Sequence, residues 1–191
     1  MKLSFEFSRW LILVIAVFAA AACLIKAVRV FLLDPRNLGF PTGAAEDWMI
    51  GTLVFSIIGA GVGRKKPLAQ IGNDAIVVLY AAMLLLFAQD VVREFVFRNE
   101  VSLGGAETVF RAILATAFLF VAWGLHAWQR WGRILCLFLT ATMAVGTIVV
   151  FFQMGFSWRL VATAVILGFV FGWLFLPAVR ERFLAAGSGR R

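Results

Sequence analysis

Apolar residues along this chain come in long, nearly unbroken blocks, and the polar and charged residues collect in the gaps between them. Six apolar segments can be marked: 10–33, 48–63, 74–97, 108–128, 134–152 and 158–179. A bilayer crossing needs roughly 17–25 residues at about 1.5 Å of rise per residue. The second segment is the shortest, and its Gly51, Gly59, Gly61 and Gly63 are the small residues that let membrane helices approach closely. The pattern predicts an all-α, polytopic membrane helix bundle of about six transmembrane helices in up-down order. It forms a single domain over residues 1–183, followed by a flexible basic tail over 184–191.

Composition strengthens this reading. The chain is 63% hydrophobic and 15% charged, where soluble domains carry about 45–50% apolar and about 25% charged residues. A chain of 191 residues forms one compact domain at most and has no soluble core large enough for that excess. Lipid is the solvent that accommodates it.

The formal charge of +8 changes the picture further. A basic balance suits nucleic acid only where it forms a solvated basic surface. Here the cations fall in short gaps, as topology determinants and contacts for anionic headgroups, so no nucleic-acid partner is expected. One set of gaps holds Lys2, Arg9, Arg64, Lys65, Lys66, Arg130, Arg133, Arg180, Arg182, Arg190 and Arg191 against only Glu6, Asp74 and Glu181. On the other side Lys26, Arg29, Arg36, Arg93, Arg98, Arg111 and Arg159 are balanced by Asp34, Glu46, Asp47, Asp90, Glu94, Glu100 and Glu107. The positive-inside rule then places both termini in the cytoplasm of a bacterial inner membrane. Trp10, Trp48, Trp123, Trp128, Trp131 and Trp158 fall near segment ends, where indoles favour the interface.

The N-terminus raises the question of a cleaved leader. Ala19-Ala20-Ala21-Ala22-Cys23 resembles a degenerate lipobox, and processing there would leave a lipidated Cys23. The apolar run continues through Leu24, Ile25, Val28 and Phe31, which favours an uncleaved first helix. Cys23 and Cys136 both lie inside apolar blocks with no CxxC spacing, so they are expected to be reduced, packed thiols. A faint internal echo is also present. The stretch Ile71-Gly72-Asn73 onward aligns with Trp131-Gly132-Arg133 onward, and Val28-Arg29-Val30-Phe31 resembles Val92-Arg93-Glu94-Phe95. The echo suggests three pseudo-repeated helical hairpins.

Candidate chemistry concentrates at the outer helix ends. Lys26 and Arg29 are three residues apart and share a helix face; Asp90, Arg93 and Glu94 occupy one turn; Glu107 and Arg111 form an acid-before-base pair four residues apart. Ionisable groups within membrane helices mark ligand or ion paths by default, so these seven define a candidate ligand-binding vestibule for a small molecule of unknown identity. The competing reading is that charges near an interface snorkel to headgroups or pair locally. At the inner ends, Arg64, Lys65 and Lys66 in one turn and Arg130 and Arg133 in another are candidate contacts for anionic lipid headgroups.

Other chemistry has little to stand on. His126 is the single histidine, which rules out paired-histidine haem ligation and HExxH zinc sites. Ser and Thr residues have no candidate base beside them, so no nucleophilic triad can be assembled. No catalytic residue, metal site or cofactor is expected. Six spans, about this length and both ends inside resemble the substrate-binding subunits of energy-coupling-factor vitamin transporters, which often carry an Ala-x-x-x-Ala surface on the first helix, as Ala16 and Ala20 do here. That resemblance implies a solute-binding or transport component with an outward-facing polar pocket. The leading expectation is a non-enzymatic inner-membrane protein acting as an accessory or scaffold subunit. Its partners are the bilayer, anionic headgroups and a membrane partner subunit.

Overall fold

The computed structural model describes residues 2–33, 44–96 and 105–187. Among the described residues there are helices and no strands: α1 (Lys2–Leu33), α2 (Ala44–Gly63), α3 (Leu68–Val96), α4 (Gly105–His126), α5 (Arg130–Met154), α6 (Trp158–Phe175) and α7 (Pro177–Gly187). Four of them contain apolar stretches long enough to cross a membrane: Ser8–Val30, Leu68–Val92, Gly105–His126 and Arg130–Gln153. A fifth arises if α6 and α7, bent by 60° at their junction, count as one span. The apolar part of α2, Trp48–Gly63, is shorter. In an apolar 18-residue window of each of these four stretches only 17% to 33% of the residues are buried. Phe18, Leu32 and Phe152 are more than 70% exposed. Exposed apolar side chains in this number on long apolar helices suit a multi-pass membrane protein.

The sixth predicted segment needs correction. It was expected to run unbroken to Val179, but α6 stops at Phe175 and the chain turns at Leu176. The cause is local. Pro177 has no N–H to donate and crowds the residue before it out of the helical region. Leu176 accordingly takes φ −56°, ψ 131°, and a new helix begins with proline at its first position, where the missing N–H costs nothing. That helix continues to Gly187, so the tail expected from Leu184 starts as helix, and 188–191 lie outside the described residues.

The chain divides into two compact units, Met1–Leu119 and Phe120–Arg191, with the division inside α4. In the first unit α1 and α2 form a close seam. A methyl group added at Gly59 would lie 3.7 Å from Ala16 Cβ, and one at Gly51 3.0 Å from Cys23 Sγ. Small residues on both helices bring the backbones together, as dispersion-driven membrane packing requires. Ala16 is buried there, so the Ala16–Ala20 step serves at least partly as an internal seam. Cys23 and Cys136 are both buried free thiols. The core continues through Ile71, Ala75, Ile76 and Tyr80 of α3 to Phe118 of α4. Tyr80 and Phe87 hold Phe118 with ring centroids 5.7 and 5.4 Å away.

Two tight turns have one design. After α2, Lys66 N–H donates to Gly61 O and Lys65 N–H to Val62 O; after α4, Gln129 N–H donates to Gly124 O and Trp128 N–H to Leu125 O. This is the Schellman arrangement, which satisfies the last free carbonyls of a helix and needs a left-handed residue at its corner. Lys65 (φ 53°) and Trp128 (φ 54°) fill those corners without being glycine. Left-handed backbone costs a non-glycine residue roughly 1–2 kcal/mol.

The two corners predict opposite outcomes. Lys65 is exposed, so Lys65→Gly should raise stability by roughly 0.5–1 kcal/mol through relief of the corner alone. The Trp128 ring lies 4.9 Å from Phe183 and carries the Arg182 guanidinium at 5.6 Å. Trp128→Gly should therefore lower stability, by roughly 2 kcal/mol, because these ring contacts outweigh the strain. Thermal melting of both variants in one detergent checks the opposite signs.

Candidate functional site

The charged side chains sort into two groups by position. The first lies where the C-terminal part of α3 meets the N-terminal part of α4. Arg111 Nη2 donates to Glu107 Oε1 at 2.7 Å and its Nε donates to the same oxygen at 3.2 Å. Its Nη1 donates to Asp90 Oδ2. One guanidinium thus bridges two carboxylates, one a turn before it on its own helix and one on the neighbouring helix. The planar fork of arginine suits this bridging, since it presents several fixed donors at once. Arg111 and Asp90 are 26% and 27% exposed and Glu107 is 48% exposed, so the cluster is open on the Glu107 side.

Of the seven residues in the expected vestibule, the structure brings together Asp90, Glu107 and Arg111. Lys26 and Arg29 are exposed on α1, and among the described residues neither enters an ion pair with that cluster. Arg29 instead borders a shallow, largely apolar hollow with Leu24, Ile25, Val28 and Leu32 on the same helix. The side chains of Arg93 and Glu94 lie outside the described residues.

The second group comprises charges at other helix ends within each unit. In the first unit, Lys66 Nζ pairs with Asp74 at 2.8 Å and its carbonyl accepts from Arg9 Nη2 at 3.4 Å. The start of α1 and the α2–α3 turn therefore share one end of the unit. Arg64 and Lys65 are exposed beside them.

In the second unit, Arg133 Nε donates to the carbonyl of Leu174 and Arg130 Nη2 to that of Leu184, both at 3.0 Å. Leu174 closes α6 and Leu184 lies in the last turn of α7, so both arginines satisfy carbonyls that helix ends leave open. The Arg133 guanidinium also lies 5.9 Å from the Phe175 ring. Spacing alone could not have shown this use. The Leu174 carbonyl becomes available because Pro177 ends α6, and the proline was the signal in the sequence that could have located it; the Leu184 carbonyl is open because α7 ends at Gly187.

The arrangement is one of electrostatic clasps and helix-end caps. Among the described residues no three His, Cys, Asp or Glu side chains form a metal-sized group. No protein-family model matches the chain, and no curated protein or solved structure matches it either.

Proposed function

We propose that this chain is a non-enzymatic, multi-pass protein of a bacterial inner membrane. It crosses six times with both ends cytoplasmic, as a single membrane domain, and serves as an accessory or scaffold subunit for a membrane partner. One observation carries this reading: the charges best placed for chemistry are engaged in holding helices together. Arg111 joins Asp90 to Glu107, and Arg130 and Arg133 close the ends of α7 and α6. Substrate handling needs charged groups left available to substrate, and Arg111, Arg130 and Arg133 each commit donors to the fold. The apolar outer faces are then left for lipid and for a partner's helices. In six crossings α2 and α6 each count as a span, and the basic turns at Lys65 and Trp128 face the cytoplasm.

Single-cysteine accessibility in intact cells tests the topology. Cysteines introduced at Lys65 and Gln129 should resist a membrane-impermeant thiol reagent until the membrane is opened, and one at Arg98 should react at once. The same protection at all three sites would overturn six crossings.

A solute-binding or transport role with an outward polar pocket is the second reading, favoured by the convergence of Asp90, Glu107 and Arg111. Native mass spectrometry in mild detergent separates the two. The scaffold reading expects lipid or a partner subunit to be retained. A retained small molecule that Arg111→Gln releases would support the solute-binding reading instead.

A further inference from the structure

The helix after the proline break presents a second face that the fold does not use. Val179 and Phe183 of α7 are buried, and Phe183 lies against Trp128. Arg180 and Leu184 are four residues apart on α7 and share one side, and Leu176, whose carbonyl accepts the first N–H groups of α7, immediately precedes the helix. All three are exposed, the leucines at 43% and 39%. An arginine between two exposed leucines, on a short helix bent 60° from the apolar helix before it, has the form of an interfacial helix. In such a helix apolar side chains enter the acyl boundary while the cation stays at headgroup level.

Charge identifies the occupant. Arg130 reaches the Leu184 carbonyl and Arg133 the Leu174 carbonyl, α7 itself carries Arg180 and Arg182, and Glu181 is the one acid on α7. Arg182 lies over Trp128, and Arg133 uses Nε on the Leu174 carbonyl and lies near the Phe175 ring, with no hydrogen bond from its two Nη groups among the described residues. These contacts place Arg133 at the end of α6, and Arg180 stands in the first turn after the break, its backbone N–H on the Leu176 carbonyl. Two arginines at one helix break, neither in an ion pair among the described residues, call for an anion, and the flanking leucines call for one carried on acyl chains.

We propose that α7 is an in-plane anchor whose Arg180 and Arg133 hold the phosphate of an anionic phospholipid, with Leu176 and Leu184 in its acyl region. This inference rests on the membrane reading above. Arg180 is the variant of choice because its side chain is exposed and supports no helix end.

The full chain in neutral detergent is melted with phosphatidylglycerol, with phosphatidylcholine and with inorganic phosphate. Phosphatidylglycerol should raise the melting temperature by about 5 °C or more, as expected of a ligand well above its dissociation constant acting on a chain of this size. Phosphatidylcholine and inorganic phosphate should each give less than half of that. Arg180→Gln should remove more than half of the phosphatidylglycerol shift, and the pair Arg64→Gln with Lys65→Gln should keep it. The proposal is overturned if either comparison ligand reproduces the shift, if Arg180→Gln leaves it intact, or if the Arg64/Lys65 pair removes it equally. Carbonate washing of native membranes keeps the two readings apart. Release of the chain overturns the multi-pass reading, whereas retention without a phosphatidylglycerol-specific shift overturns the α7 anchor alone.

Discussion

Replacing Gly132 with valine is expected to break the α4–α5 hairpin. A Cβ at Gly132 would overlap the carbonyl carbon of Gly124 and lie 2.5 Å from its Cα. A Cβ at Gly124 would in turn lie 2.6 Å from Gly132 Cα. The opposing atoms are backbone, so no rotamer change relieves the overlap, and the two helices must separate. Separation also withdraws Trp131 from Trp123 and Phe120, whose ring centroids lie 5.8 and 6.4 Å from it. Overpacking of rigid interiors costs roughly 1–3 kcal/mol and occasionally more, and a backbone-to-backbone overlap belongs at the upper end. A loss of about 3 kcal/mol or more is expected for Gly132→Val. The control is Gly168→Val on α6, where an added Cβ meets nothing within 4 Å; it should melt close to the parent. Thermal unfolding of both variants in the same detergent checks the contrast. Equal melting temperatures for Gly132→Val and the parent would refute the close approach.

The second large effect is at Arg111. Arg111→Gln leaves the Asp90 and Glu107 carboxylates facing one another across α3 and α4 with no cation between them. Exposed ion pairs contribute about 0–1 kcal/mol, whereas removal of one partner from a buried pair costs roughly 3–5 kcal/mol. Arg111 and Asp90 at 26% and 27% exposure fall between these limits, so a loss of about 2 kcal/mol is expected. The diagnostic result comes from the triple variant Asp90→Asn, Arg111→Gln, Glu107→Gln. With no charge left uncompensated, it should regain much of the stability that Arg111→Gln alone loses. Chemical denaturation of single and triple variants measures the difference. If the triple variant is no better than the single one, the cluster is not the electrostatic clasp described here.

The sequence showed several of these features in advance, for identifiable reasons. The Glu107–Arg111 pair was legible because helical periodicity brings residues four apart together. The link to Asp90 was not, since it joins different helices and depends on their approach. Lys26 and Asp90 lie at similar depths by residue count, yet only Asp90 has Arg111 within reach. Arg130 and Arg133 were legible as cations in a gap between two apolar blocks. Their use as caps for α7 and α6 depends on where Pro177 ends a helix and on how the new helix folds back over Trp128. Gly124 and Gly132 are unremarkable as letters; the turn between them brings their backbones into contact.

Long apolar blocks, charge gathered into gaps and a surplus of cations on alternate gaps were enough to determine an all-helical, apolar, multi-span chain. Those properties come from the free energy of moving each segment from water to lipid, which is a sum over its own residues. Tertiary structure alone decided which charges meet, which carbonyls the arginines close, and which face of α7 is left open. Those depend on distances between helices, set by glycine contacts and by one proline, and no sum over a single segment contains them.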